Sequence, residues 1–209
     1  MILYFSATGN SRHVAERIAM ATGDSILSIV DCIRQNRYQF EDETIGVVAP
    51  TYYHGLPSVV FDFLKKAEIK SDYYFFVSTY GTRPSATANI SGRKPNAFFS
   101  VRMPDTWTPQ FDLSTPEKVA FFTTTTEEDI ANTIAMVKSQ AIGNHQRHKT
   151  SAIFGRVAYT PVRSGTRPLL RATERCGYAP PNSSPQTVTL RTPGKSCRMC
   201  AYSRNRRGR

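Results

Sequence analysis

Residues 1–22 constrain the fold more than any other part of the chain. Met1-Ile2-Leu3-Tyr4-Phe5 is an apolar run of residues that favour strands. It passes without a break into Ser6-Ala7-Thr8-Gly9-Asn10-Ser11, a turn of small hydroxyl residues around one glycine. From Asn10 or Ser11 onward, Val14, Ile18 and Ala21 recur at helical spacing. A buried strand feeding a helix through so short a turn is half of a βαβ unit. A chain that contains one tends towards a parallel sheet with helices on its faces.

The same alternation continues downstream. Ser25–Val30 reads as a second strand and Thr44–Ala49 as a buried third strand, stopped at Pro50. A helix is expected near Pro57, with Val60, Phe61 and Leu64 on one face; proline suits a first helical turn because its missing N–H has no partner there anyway. Tyr73–Thr79 and Ala97–Val101 read as the fourth and fifth strands. Thr126, followed by Glu127-Glu128-Asp129, predicts a helix N-cap with acids in the first turn, and a helix running to about Ile142. The fold class is therefore α/β: a doubly wound parallel sheet, expected in the order 2-1-3-4-5. Pro84–Lys94 is the only stretch available for a crossover helix between the last two strands.

No apolar stretch reaches the roughly 18 residues of a membrane span, so no membrane insertion is expected. The N-terminus has no basic segment and no small-residue cleavage site, so it does not read as a signal peptide, and the expected compartment is the cytoplasm.

The formal charge of +11 invites a nucleic-acid reading, but its distribution argues against one for the folded part. The basic and acidic residues of 1–155 cancel. Residues 156–209 carry the whole excess, with Glu174 their single acid. That segment is rich in Arg, Pro, Ser and Thr and has no hydrophobic period. It is expected to be a mostly disordered tail, because it has too little apolar surface to offset the entropy of ordering. The domain division is thus 1–155 and 156–209. Tyr159, Tyr178 and Tyr202 are the tail's only aromatics, few for stacking nucleic-acid bases.

The turn at 6–11 carries the chemistry. A loop that leaves a parallel strand and opens a helix gathers free backbone N–H groups, and the helix dipole adds partial positive charge. Such a turn holds an anion without needing a lysine. Ser6, Thr8 and Ser11 add hydroxyls, Asn10 an amide, Ala7 little bulk, and Gly9 the freedom for a tight turn. The pattern is neither G-x-x-x-x-G-K-[ST] nor G-x-G-x-x-G, so it fits neither a nucleoside triphosphate nor a dinucleotide. It lacks the Cys and Arg of a phosphatase loop. A single terminal phosphate, held and not transferred, fits best.

Tyr4–Ile18 resembles the FMN-phosphate loop of flavodoxins. It is more similar still to the family in which a flavodoxin domain precedes a bacterial-type ferredoxin domain. Further matches are Pro50-Thr51-Tyr52-Tyr53-His54-Gly55-Leu56-Pro57, Ser78-Thr79-Tyr80-Gly81 and Val101-Arg102-Met103-Pro104-Asp105-Thr106-Trp107. The resemblance covers roughly residues 1–155. It implies that FMN is the cofactor, that Ser6–Ser11 hold its phosphate, and that loops around Thr51–Gly55 and Thr79–Gly81 enclose its ring. Those loops follow strands, where open α/β sheets bind ligands; flavodoxins are among the cases from which that rule is drawn. Tyr52, Tyr53, His54 and Tyr80 all offer flat faces for stacking.

The resemblance also implies a ferredoxin part with two runs of the form C-x2-C-x2-C-x3-C-P. Cys176, Cys197 and Cys200 are the only cysteines after residue 155, so no intact iron–sulfur cluster is expected, and the tail has the composition that a wrong reading frame produces. The expected function is electron transfer through FMN to or from a redox partner protein such as a ferredoxin or a reductase. The rival within the fold is an FMN-dependent NAD(P)H oxidoreductase. The rival outside it is a protein that binds nucleic acid or acidic surfaces through the basic tail.

Overall fold

The computed structural model describes residues 1–52, 55–82, 84, 94–104, 116–146, 190–192 and 195–197. Its centre is a six-stranded, all-parallel sheet. In chain order the sheet strands are β1 (Ile2–Tyr4), β2 (Ile26–Ser28), β4 (Thr44–Pro50), β6 (Tyr73–Tyr80), β7 (Ala97–Arg102) and β8 (Gly143–Asn144). Their spatial order is β2-β1-β4-β6-β7-β8, so the five longer-predicted strands stand in the expected order 2-1-3-4-5, with β8 added at the edge. A separate parallel pair joins β3 (Gln39–Glu41) to β5 (Glu68–Lys70).

Helices cover both faces. On one face α1 (Asn10–Thr22) and α4 (Pro116–Lys138) enclose Ile2, Val48, Phe75, Val77, Phe99 and Val101, with Val14, Ile18 and Ile130 as the helical contribution. On the other, α2 (Ile29–Arg34) and α3 (Ser58–Lys66) cover Leu3, Ile45, Val47, Tyr74 and Phe76 through Ile29, Val60, Phe63 and Leu64. Alternate residues of each strand thus enter opposite cores, and every residue of β6 is buried. A continuous apolar run is what a central strand needs when neither face meets water.

Three expectations are corrected. The second strand ends at Ser28 and not at Val30, because Ser28 caps α2 by accepting from the Asp31 N–H at 3.4 Å. The last helix begins at Pro116, ten positions before the expected cap, and ends at Lys138 rather than about Ile142. Thr126 lies inside that helix, buried, with its hydroxyl donating to the Arg102 carbonyl at 2.5 Å. The run Thr123–Thr126 is β-branched and resists the helix locally, so it looked like a boundary. The contact with β7 holds the helix through it.

The crossover expected in Pro84–Lys94 falls almost entirely outside the described residues. So does most of the tail; within it, β9 (Leu190–Thr192) and β10 (Lys195–Cys197) pair as an antiparallel ribbon. Among the described residues, no helix is long and apolar enough to cross a membrane.

Gly46 marks the tightest point of the sheet. A Cβ there would overlap the Phe75 ring and come within 2.9 Å of Ile2 Cδ1. Phe75 is fully buried between Tyr73 and Phe99, with ring centroids at 5.8 and 6.1 Å, and has nowhere to swing. Gly46→Ala is therefore expected to destabilise the fold by about 1–3 kcal/mol through overpacking, measurable by denaturant titration. Pairing it with Phe75→Leu should recover part of that loss.

Candidate functional site

Because the strands are parallel, the segments that follow β1, β4, β6 and β7 emerge at one edge of the sheet. The chain winds one way from β1 to β2 and the other way from β4 onward, so the β1–β4 junction is the point where the strand order reverses. Three of these segments meet at that edge through named hydrogen bonds.

The segment after β1 turns sharply at Gly9, which has φ 98° and ψ −25° and serves as the N-cap of α1. Nothing lies within 4 Å of where its Cβ would be, so the glycine is needed for its backbone angle and not for space. No side chain caps the helix, and no acidic residue sits in its first turn. The Ser6 hydroxyl accepts from the Gly9 N–H at 3.0 Å and braces the turn from within. The first-turn N–H groups of α1 have no side-chain cap, and the positive end of the helix dipole lies at this turn. Ala7, Thr8 and Gly9 are exposed.

Two residues of this turn are bonded to neighbouring strand ends. Ser11 is buried at 1% exposure, and its Oγ lies 2.7 Å from Thr79 Oγ1, itself 2% exposed. The Asn10 side-chain amide donates to the Pro104 carbonyl at 3.0 Å. Both tie the turn to neighbouring strand ends, Ser11 to β6 and Asn10 to the segment after β7.

After β4, the Thr51 N–H donates to the Thr79 carbonyl at 2.8 Å, and Thr51 Oγ1 lies 2.6 Å from Ser78 Oγ. Tyr52 and Gly55 exchange both backbone hydrogen bonds, at 2.8 and 2.9 Å, closing a narrow turn. Gly55 is buried, and Tyr52 is half-buried at the surface of this turn. Burial pushes the Tyr52 phenol above its ordinary pKa, so it is a neutral ring at physiological pH. Tyr53 and His54 lie outside the described residues. Tyr80 is buried at 3% exposure, and Gly81 follows it at the strand end, its carbonyl accepting from Arg102 Nε at 3.3 Å. Asp105, Thr106 and Trp107 lie outside the described residues.

Sequence reasoning missed three supports of this edge. Ser78 holds Thr51. Thr126 and Asp129, one helical turn apart on α4, take the carbonyl and the N–H of Arg102 at 2.5 and 3.0 Å. Their target is a backbone edge, which leaves no trace in residue type. An acid just after a Thr run was the available signal, and it matches a helix cap equally well.

An open cleft of about 290 Å³ lies beside β2, between Tyr4, Arg12, Glu16, Ser28, Asp31 and Arg37. The surface ion pair Arg12–Glu16, at 2.7 Å, forms part of its wall, and no residue of β4 or β6 lines it. The strand-end junction is the better site because three segments and an uncapped helix converge there. Among the described residues, no group of His, Cys, Asp and Glu is arranged to hold a metal ion.

The flavodoxin domain family matches residues 1–133 of this chain. No curated protein matches it. Solved structures it is similar to include the Trp repressor binding protein from Bacillus subtilis, at 10% identity and a TM-score of 0.36, covering 62% of this chain and 94% of that one. Another is a flavodoxin from the domain Archaea, at 14% identity and a TM-score of 0.34, covering 64% and 96%. A third is the rubredoxin:oxygen oxidoreductase of the anaerobe Desulfovibrio gigas, at 14% identity and a TM-score of 0.38. It is covered over 36% of its length, by 66% of this chain.

Gly9→Ala is expected to lower stability by about 1–2 kcal/mol, since only the backbone angle is penalised. Gly9→Asn should cost less, because asparagine tolerates the left-handed region. Thermal unfolding of the two variants beside the wild type checks the order.

Proposed function

Since this chain belongs to the flavodoxin domain family, we propose that it binds FMN at the carboxyl ends of its strands and carries electrons through that flavin. The observation that carries the reading is the amino end of α1. It is uncapped by any side chain, free of acids in its first turn, and opened by Gly9 at a positive φ. An anion there gains the first-turn N–H groups and the helix dipole without displacing a side-chain cap.

The residues present fit the group. The backbone of 7–11 forms the phosphate cradle, and the exposed Thr8 hydroxyl is free to turn towards the anion. The Tyr52 ring, on the turn after β4, offers a flat face on which an aromatic ring system can stack. Thr51, pinned to Ser78 and to the Thr79 carbonyl, keeps that turn at a fixed distance from β6. When bound, FMN supplies the one- and two-electron chemistry. The protein supplies binding, orientation and electrostatics.

The proposed partner is a redox protein, a ferredoxin or a reductase, meeting the sheet edge where the ring would be exposed. The tail from 156 is proposed to be dispensable for the cofactor, and no iron–sulfur cluster is proposed for this chain.

Purified protein should bind FMN far more tightly than riboflavin, as read by quenching of flavin fluorescence. Equal affinity would remove the phosphate from the explanation. Thr8→Ala should weaken FMN binding by about 1–3 kcal/mol for the lost charge-assisted hydrogen bond. A chain ending at residue 155 should keep the full affinity. Sustained oxidation of NAD(P)H without any partner protein would instead favour a stand-alone flavin reductase.

A further inference from the structure

We infer that Thr79, on the strand that leads to the ring-side turn, acts on the phosphate end of the cofactor through Ser11. This deepens the proposed function and rests on it. The two hydroxyls lie 2.7 Å apart, at 1% and 2% exposure, on residues 68 positions apart in sequence. Among the described residues each has only the other as a side-chain hydrogen-bond partner.

Two hydroxyls bring two protons, and a single hydrogen bond between them uses one. The second proton needs an acceptor, and burying a hydroxyl proton without one is costly. Ser11 is the second residue of α1, within the first turn that no side chain caps. Were Thr79 the donor and Ser11 the acceptor, the spare proton would belong to Ser11, at the cradle. A phosphate oxygen there completes the chain Thr79 O–H to Ser11 O–H to phosphate. Each bond polarises the next, so Thr79 strengthens a donor that it does not itself present to the anion.

The arrangement also separates Thr79 from the ring-side role its place in Ser78-Thr79-Tyr80-Gly81 implies. Its backbone carbonyl holds Thr51, a contact that a side-chain substitution leaves in place. Its hydroxyl points the other way, to α1. One residue thus serves the ring-side turn with its main chain and the phosphate turn with its side chain.

The test is the ratio of riboflavin to FMN dissociation constants, measured for wild type, Thr79→Val, Thr79→Ser, Ser11→Ala and the double variant Ser11→Ala/Thr79→Val. Valine keeps the shape of threonine and removes the hydroxyl. Thr79→Val is expected to lower FMN affinity about tenfold, on the scale of one charge-assisted hydrogen bond, and to leave riboflavin affinity unchanged. Thr79→Ser should restore the wild-type ratio. The double variant should bind FMN no worse than Ser11→Ala alone, because both act along one chain. Should Thr79→Val weaken both flavins equally, or leave the ratio untouched, the inference is overturned while the FMN site stands. Wild-type protein that takes up neither flavin would overturn the site itself, and this inference with it. Circular dichroism of each variant confirms that the folded state is being compared, and Thr79→Ala carries the test should valine unfold the domain, a loss of FMN affinity with riboflavin affinity kept supporting the inference and an untouched ratio overturning it.

Discussion

Parallel pairing points the strands of the central sheet the same way, so the segments that follow them crowd onto one edge. Side chains of strand residues are absorbed by the two cores, and chemistry is left to those segments. The order β2-β1-β4-β6-β7 then splits the segments after β1 and β4 to opposite faces, opening a crevice between them. Ser11–Thr79, Asn10–Pro104 and Thr51–Ser78 are short bonds spanning that crowd. They turn separate loops into one surface whose geometry is set by the register of the sheet.

The parts of the fold that were legible in sequence are those where one periodicity dominates. The run Tyr73–Thr79 reads as a strand from its sequence, and the structure extends it by one residue and buries it on both faces. The strand–turn–helix junction at Ser6–Ser11 was legible because a helix that starts so sharply after a strand needs a glycine in a fixed place. What was not legible depends on contacts between distant residues. Ser11 and Thr79 were each read as ligand contacts from their own motifs, and nothing in either motif records that they touch. Thr126 was read as a cap because a buried mid-helix threonine bonded to another element's carbonyl has the same neighbours in sequence as a capping one. The pair β3–β5 and the two-residue β8 were too short to show any period.

Burial and exposure at the candidate site follow a consistent division. Residues that hold the scaffold, Ser11, Thr79 and Gly55, are buried, while Ala7, Thr8 and Gly9 are exposed. A buried hydroxyl bonded to a neighbouring element has its position set by that contact, whereas an exposed one can turn to an incoming ligand. The turn is therefore stiff where it meets the sheet and adaptable where it meets solvent.

The edge strand β8 pairs only with Ala97 and Phe98, and so covers less than half of β7. Beyond it, the outward N–H and carbonyl of Arg102 are taken by Asp129 and Thr126. Side chains of a helix here stand in for the length that β8 lacks, closing this stretch of the β7 edge. Open edges recruit other chains, and these two residues cover the part of β7 that β8 leaves open. They sit three positions apart in a helix that turns about 100° per residue. The phase of α4, a property of an element outside the sheet, thereby sets which stretch of β7 is closed.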